Sequence, residues 1–367
     1  MDKFSTKHFI FIICGTSIIS LKTYPVVFTK NGGRESWVAL IVSSILIFLF
    51  LAFILKVTMK LKNYNIYDVY CKTVGNTFGK MLMLLFSLTL LITLVESASV
   101  EANAMHANML EETPPWFFLV FFIVPAIYTI SRDKVAIISV TIIGIVLISI
   151  AGMNLALLTA KYKDHSLLFP IFENGITWGF VISVIETLGM YASLGIVLPY
   201  LMDIQESNKL VKHGLWGLIF VIQMEIIACT GMMASFDIKY LNTMAYPKLL
   251  QTQLVQHFRF LESGELYVML QMLGGWYLKY VLTFYALLKL LRLSNMYSKY
   301  NIFIVSALVY LGSFFVSRNL FVLYRFLDIY TYVALINFFV IPLIVYIIYY
   351  FKNVNKEKSQ EASTKAS

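Results

Sequence analysis

Long apolar runs separated by short polar segments are the main pattern of this chain. Hydropathy predicts ten spans, each close to the roughly 20 residues that a helix needs to cross a bilayer. Their approximate bounds are 8–29, 36–56, 81–106, 115–131, 133–159, 178–203, 213–236, 264–292, 301–317 and 328–351. The pattern therefore predicts an all-α integral membrane protein with a single transmembrane domain over residues 1–352.

The first span contains residues that weaken a helix. Between Cys14 and Pro25 the apolar run carries glycine, threonine, serine and lysine residues. These residues disturb the helical hydrogen-bond ladder and bring polar groups to mid-membrane depth. Such a segment is tolerated where protein or a small aqueous cavity covers it, as in the broken helices of secondary transporters.

The sixth span repeats this feature. Gly189 precedes Pro199 by the interval that separates Gly15 from Pro25 in the first span. Because the two segments begin successive sets of five spans in opposite orientation, they predict an inverted repeat. The first half covers about 8–160 and the second about 177–351. The broken first and sixth helices are expected to cross near the midplane.

The distribution of basic residues predicts the orientation of the chain in the membrane. The chain is 59% hydrophobic, only 13% charged, and carries a formal net charge of +9. With the N-terminus inside, the predicted inner segments hold about twice as many Lys and Arg residues as the outer ones, so both termini are expected in the cytoplasm. This distribution accounts for the excess of basic residues, so we expect no nucleic acid as a partner. The polar tail, 353–367, is predicted to be a disordered cytoplasmic end.

Two connections predict further elements. The inner stretch 59–80 mixes aromatic and aliphatic residues with Lys and Asn, which favours a short interfacial helix. The outer stretch 237–263 repeats apolar residues at helical spacing after Tyr246-Pro247. It predicts an amphipathic helix on the membrane surface or over the bundle, and a gate or a docking surface are the alternatives.

Ionisable residues within spans are functional candidates, because each costs a few kcal/mol at the bilayer centre. Glu96 and Glu186 are the better site candidates, since each lies at mid-depth beside small residues or a predicted break. Lys279 has three interpretations: a fixed positive charge, a group that changes protonation, or a partner of one glutamate.

Three further ionisable residues can also be interpreted as ordinary interfacial or structural residues. Lys22 and Glu101 either belong to the site or snorkel at the outer interface. Glu225 is interpreted as a structural residue that hydrogen-bonds between helices.

The two predicted breaks favour a small zwitterion as ligand. The free N–H groups of a half-helix suit a carboxylate, and free carbonyl groups suit an ammonium group. An amino acid fits both better than a sugar or a lipid, although backbone polarity alone is also compatible with a metal ion or a small polyol. The sequence shows no phosphate-binding loop, nucleophile elbow or metal-ligand spacing. We therefore expect no enzymatic activity, no cofactor and no metal.

Three sets of residues, in their order and spacing, are characteristic of a known family. They are Gly15-Thr16 with Pro25, the segment Gly32-Gly33-Arg34-Glu35-Ser36-Trp37, and Tyr246-Pro247 followed by Arg259, Glu262, Glu265 and Trp276. Together they resemble the spore germination permeases, the B subunits of germinant receptors in endospore-forming bacteria. The resemblance implies a fold of the amino acid–polyamine–organocation type in the inner spore membrane. It also implies partners, namely a larger A membrane subunit and a lipoprotein C subunit.

The resemblance further implies a pocket lined by the first, third, sixth and eighth spans. The residues expected to bind ligand are Gly15, Thr16, Ser17, Ser20, Glu96, Val100, Glu186, Gly189, Tyr191, Ser193, Lys279 and Thr283. The leading hypothesis is a receptor subunit that senses a small nutrient, an amino acid, and triggers germination with its partners. The alternative is a transporter that moves an amino acid or cation by alternating access. A third hypothesis is a subunit that binds no ligand and supports assembly or conducts ions and water.

Overall fold

The computed structural model describes residues 4–173, 175–205, 208–254, 256–257, 261–262 and 265–366. Its α-helices are α1 (Thr6–Ser17), α2 (Ser20–Thr23), α3 (Val26–Gly32), α4 (Ser36–Leu61), α5 (Ile66–Val74), α6 (Asn76–Asn108), α7 (Pro115–Ser131), α8 (Lys134–Leu158), α9 (Trp178–Tyr191), α10 (Leu210–Met233), α11 (Ile238–Leu241), α12 (Pro247–Gln253), α13 (Glu265–Leu293), α14 (Asn301–Ser317), α15 (Leu320–Ala334) and α16 (Ile341–Ala366). The other elements are 3₁₀ helices at Gly33–Glu35, Ala160–Tyr162, His165–Leu168 and Ala192–Asp203, a π-helix at Leu335–Val340, and the antiparallel pair β1 (Gln256–His257) and β2 (Leu261–Glu262).

The helices form a bundle suited to a membrane. Among the described residues, 6 helical stretches are long and apolar enough to cross one: Val26–Leu61, Asn76–Asn108, Lys134–Leu158, Trp178–Asp203, Leu210–Met233 and Leu320–Val354. Helices α7 and α14 are apolar but shorter. Large apolar side chains face outward, and Phe321 is 85% exposed, as lipid contact favours. The predicted helical membrane architecture is confirmed, whereas the count of ten spans and the inverted repeat stay predictions.

The first predicted span is broken within the segment that the sequence indicates. Helix α1 ends at Ser17 and α2 begins at Ser20. Thr16 Oγ1 donates to the carbonyl oxygens of Ile12 and Ile13 at 3.0 and 3.1 Å, a local bond that competes with the helical ladder. A second interruption follows at Pro25, which has no N–H and disfavours helical geometry at the residue before it.

The sixth predicted span changes its helical geometry. Helix α9 gives way at Ala192 to the 3₁₀ helix Ala192–Asp203, which contains Pro199. Long 3₁₀ runs are uncommon and often mark a hinge. The glycines allow close packing here, because a Cβ at Gly195 would lie 2.6 Å from Phe338 Cβ in the π-helix. Both predicted breaks are therefore interruptions of regular α-helix.

The helix predicted within the inner stretch 59–80 is confirmed as α5. Asn65 caps it by accepting hydrogen bonds from the N–H groups of Tyr67 and Asp68, which satisfies donors that have no partner in the first turn. Ile66, Val69 and Tyr70 are fully buried, on the face that packs against α6 and α16.

The helix predicted after Tyr246-Pro247 in the outer stretch 237–263 begins at Pro247 as expected but already ends at Gln253. The short helix α11 precedes it, and the pair β1–β2 follows it. Helix α12 starts at Pro247, where proline is well suited to the first turn but holds Tyr246 outside helical geometry. Arg259 lies outside the described residues.

The C-terminal tail belongs to α16 as far as Ala366, although disorder is predicted for 353–367. Its Lys, Glu, Gln and Ala residues are good helix formers, which accounts for the helical backbone. The disorder of this tail stays a prediction.

Replacement of Gly189 by Ala is expected to destabilise the bundle. A Cβ there would lie 2.5 Å from the carbonyl oxygen of Thr331 in α15, and such overpacking costs about 1–3 kcal/mol. The measurement is the melting temperature of purified protein in detergent. Gly274→Ala is the matched control, because its Cβ would meet only Ile148 at 3.4 Å. Equal melting temperatures would contradict the close packing of α9 on α15.

Candidate ligand-binding site

A buried ion pair between Lys279 of α13 and Glu96 of α6 lies at the centre of the candidate site. Lys279 Nζ donates to Glu96 Oε1 at 2.9 Å and to Oε2 at 2.7 Å, and both side chains are 0% exposed. A third hydrogen bond joins Lys279 Nζ to Ser20 Oγ at 2.8 Å. The three ammonium protons thus have three acceptors, which a buried charge requires.

The short helix α2 supplies two hydroxyl groups to this pair. Ser20 is its first residue, and Tyr24 is its C-cap. Tyr24 OH donates to Glu96 Oε1 at 2.5 Å, and Ser20 Oγ lies 3.5 Å from the same oxygen. Residues four apart share one face of a helix. The break before α2 therefore presents both hydroxyls to one carboxylate.

Aromatic rings enclose the ammonium group. Lys279 Nζ lies 5.0 Å from the ring centre of Trp276 and 5.8 Å from that of Tyr330. Tyr24 stacks on Trp276 with ring centres 6.0 Å apart, and Tyr330 OH shares a 3.0 Å hydrogen bond with Thr93 Oγ1. The ring faces attract the cation and exclude water from it. We call Glu96, Lys279, Ser20, Tyr24, Trp276 and Tyr330 the central cluster.

Several buried polar atoms near the ion pair along α13 and α6 have no hydrogen-bond partner among the described residues. They are Trp276 Nε1, Tyr280 OH and Thr283 Oγ1 of α13, and Ser99 Oγ of α6. Their spacing of three or four residues, which also includes Lys279, places the α13 residues on one face. Ser99 follows the ion-paired glutamate by one turn. Buried polar groups usually have partners, so these atoms are suited to water or a ligand.

The remaining predicted residues of the first and third spans play packing roles in the structure. Gly15 allows α13 to approach, because a Cβ there would lie 2.6 Å from Leu282 Cδ1. Thr16 bonds to its own helix, and Ser17 is the buried last residue of α1. Val100 is buried in α6.

Glu186 does not join the central ion pair. Its two carboxylate oxygens accept hydrogen bonds from Asn31 Nδ2 at 2.8 and 2.9 Å, and Tyr332 OH lies 3.3 Å from Oε1. The carboxylate therefore links α3, α9 and α15 in a separate cluster. Gly189, one turn further, packs against the backbone of Thr331.

Tyr191 and Ser193 are the other two predicted residues of the sixth span. One hydrogen-bonds to α4, and the other to a residue three positions earlier in the chain. Tyr191 OH shares a 3.0 Å hydrogen bond with Ser44 Oγ of α4. Ser193 Oγ donates to the carbonyl oxygen of Met190 at 3.1 Å. The structure thus brings the first, third and eighth spans together at the central cluster, whereas Glu186, Tyr191 and Ser193 of the sixth span have their hydrogen-bond partners elsewhere.

Lys22, Glu101 and Glu225, which also had interfacial or structural interpretations, are all buried. Lys22 is 4% and Glu101 is 2% exposed, so neither snorkels at the surface. Neither oxygen of Glu225 has a hydrogen-bond partner in the described part of the chain. Its interpretation as a residue that hydrogen-bonds between helices is therefore wrong.

Sequence reasoning missed the aromatic members of the central cluster. Tyr24 directly precedes Pro25, and Trp276 lies one turn before Lys279. Helical spacing from the charged residue was thus a usable signal for Trp276. Tyr330 comes from the last predicted span, where no polar break marks it.

A family model described as "Spore germination protein" matches residues 3–319. The match covers α1 through α14 and so includes the whole central cluster except Tyr330. A search of curated proteins found no match.

Loss of the central cation is expected to cost far more than loss of a surface one. Lys279→Met leaves Glu96 buried without its partner, which destabilises a protein by about 3–5 kcal/mol. Adding Glu96→Gln should recover much of this loss, because the double variant buries no uncompensated charge. The measurement is the free energy of unfolding in detergent of the wild type, both single variants and the double variant.

The control for this cycle is Lys72→Met. Lys72 forms an exposed pair with Asp68 at 3.5 Å, and its loss should change stability little. Strictly additive effects of the Glu96 and Lys279 substitutions would contradict the coupling.

Proposed function

Since this chain belongs to the spore germination protein family, we propose that it is the B subunit of a spore germinant receptor. It senses a small nutrient, an amino acid, and triggers germination with an A membrane subunit and a lipoprotein C subunit in the inner spore membrane. The observation that carries the proposal is the buried Glu96–Lys279 pair beside the break in the first span. The ten-helix inverted repeat with both termini in the cytoplasm is part of the same proposal.

The ion pair matches the chemistry of an amino acid. A zwitterion carries one ammonium and one carboxylate group, which complement Glu96 and Lys279 respectively. In the structure these two side chains satisfy each other. An amino acid that enters the central cluster exchanges this internal pair for two ligand pairs, so no buried charge loses its partner. Polar atoms such as Thr283 Oγ1 and Ser99 Oγ, which have no partner in the described residues, then bind the ligand or its ordered water.

The same exchange gives the ligand a means to change the conformation. A ligand shifts an equilibrium only through its different affinity for two states. Separating Glu96 from Lys279 also releases Ser20 and Tyr24, which both contact the pair. Helix α2 is then free to move against its neighbours α9, α10 and α12. We propose that this movement carries the signal to the partner subunits.

A second candidate function is transport by alternating access, and a contact on the inner side favours it. The N–H of Phe4 donates to the carbonyl oxygen of Asp203 at 2.6 Å, and the N–H of Gln205 donates to that of Phe4 at 2.8 Å. Lys289 Nζ lies 2.6 Å from Asp203 Oδ2. These contacts tie the N-terminal segment to the end of the 3₁₀ helix, as a closed inner gate would. Stoichiometric uptake of labelled amino acid into liposomes, without partner subunits, would favour the transporter.

Removal of an unpartnered hydroxyl tests the receptor proposal without damaging the fold. Thr283→Val and Ser99→Ala remove hydroxyl groups that have no hydrogen-bond partner among the described residues, so the folded state should lose little stability. If these hydroxyls bind the germinant, each substitution should raise the amino-acid concentration needed for germination about tenfold. The measurement is dipicolinic acid release from spores, together with the amount of the protein in the spore membrane.

Ser306→Ala is the matched control. Ser306 is also buried without a hydrogen-bond partner in the described part of the chain, but it lies in α14, which contributes no residue to the central cluster. Its response should equal that of the wild type. An unchanged response of both site variants, at normal protein levels, would refute the proposal.

A further inference from the structure

A second concentration of charge lies beside α2, apart from the central cluster. A cavity of about 90 Å³ is bordered by residues of α2, α8, α10, α12, α13 and the loop after α8. Three lysines, Lys22, Lys163 and Lys248, are among its lining residues, together with Gln271. They come from four separate segments, so the tertiary fold and not local sequence brings them together. We call these four residues the lysine cavity.

The ammonium groups of the lysine cavity have few protein acceptors. Lys248 Nζ donates to Gln251 Oε1 at 2.7 Å. Among the described residues, the acceptor of Lys163 Nζ is the carbonyl oxygen of Ala156, at the long distance of 3.5 Å. Lys22 is 4% exposed and makes no hydrogen bond to another described residue. The three side chains therefore retain N–H donors without an acceptor among the described residues, and all three belong to the lining of one cavity.

The charge around the cavity is unbalanced. Glu225 is the carboxylate that faces Lys22 and Lys248, and neither of its oxygens is hydrogen-bonded in the described part of the chain. One carboxylate offsets one of three cations. An uncompensated charge in a low-dielectric interior is costly, so a further anion stabilises the state in which all three lysines are protonated.

Two glycines make room for the polar side chains of the cavity. A Cβ at Gly152 would lie 2.5 Å from Gln271 Nε2, and one at Gly231 would lie 3.2 Å from Lys163 Nζ. The rest of the wall is largely apolar, with Met224, Ile227 and Ala228 among its residues. Cationic donors against an apolar wall bind an anion more strongly than they would in water.

We propose that the lysine cavity binds one small monovalent anion, either a halide ion or the carboxylate group of a small organic acid. Its volume of about 90 Å³ leaves room for a few waters or one small anion. Chloride, formate and acetate fit this space, whereas nucleotides and sugar phosphates do not. The site is separate from the proposed germinant pocket and does not depend on it.

The test is an anion titration of the purified full-length protein in detergent without germinant. Sodium chloride, formate and acetate are each exchanged against sodium gluconate, which is too large for the cavity, at constant ionic strength. We expect a saturable rise in melting temperature with at least one small anion. A response to chloride alone identifies a halide site, and a response to formate and acetate identifies a carboxylate site. Equal melting temperatures in all four salts would overturn the proposal.

Substitution of a lysine that lines the cavity tests whether the anion binds there. Lys163→Gln removes a half-buried cation whose loss should leave the fold intact, and it should weaken anion binding at least about tenfold, because hydrogen bonds to charged groups are the stronger class. Lys239→Gln removes the same charge from an exposed position in α11 and should leave binding unchanged. Equal affinity of the Lys163 variant and the wild type would refute the assignment to this cavity.

The same titration at pH 6 and pH 8 adds an independent readout. Burial, with the nearby charges of Lys163 and Lys22, lowers the pKa of Lys248 to about 7, although Cys229 and Glu225 oppose this shift. A bound anion favours the charged amine and raises this pKa, so binding takes up a proton and weakens as the pH rises through 7. Affinity should fall about tenfold from pH 6 to pH 8. Lys248→Gln should remove this dependence, and an unchanged slope in that variant would contradict the role of Lys248.

Discussion

A charge buried inside a membrane-embedded bundle needs a partner for every proton and lone pair, and the Glu96–Lys279 pair meets this need through the break in the first span. Lys279 uses three acceptors, one of which is Ser20, and Glu96 receives the hydroxyl of Tyr24. Ser20 begins the single turn of α2, and Tyr24 caps its end. Because α1 ends at Ser17, the direction of α2 is not fixed by α1, and α2 is free to direct both groups to the carboxylate.

The ion pair is better explained by function than by stability. Replacing a buried pair by apolar residues of similar volume is often neutral or stabilising, whereas losing one partner is costly. A fold that only needed a packed core would be as well served by aliphatic residues at both positions. The pair also lies beside polar atoms with no partner in the described residues, such as Thr283 Oγ1. A site that exchanges its internal partners for those of a zwitterion requires both features.

The sequence predicts the features that local chemistry determines. The break near Ser17 follows from glycine, serine, threonine and proline within one apolar run, and Glu96 and Lys279 are candidates because a charge in a span is costly. Pairing with one glutamate was one of three interpretations of Lys279, but the sequence did not identify Glu96 as the partner, because that depends on the rotation and depth of three helices. The interpretation of Glu225 as a residue that hydrogen-bonds between helices was wrong for a related reason. The cations that face it include Lys248, which hydropathy assigns to an outer segment but which the fold buries.

Helix α2 connects the two charged regions. Ser20 contacts the central cluster, and Lys22 lines the lysine cavity. Two residues advance a helix by about 200°, so these side chains leave α2 on nearly opposite sides. One turn of helix is too short to bend between them, and a displacement that improves one set of contacts alters the other. If an anion at Lys22 and an amino acid at Lys279 favour different positions of α2, each ligand changes the affinity of the other by the same factor.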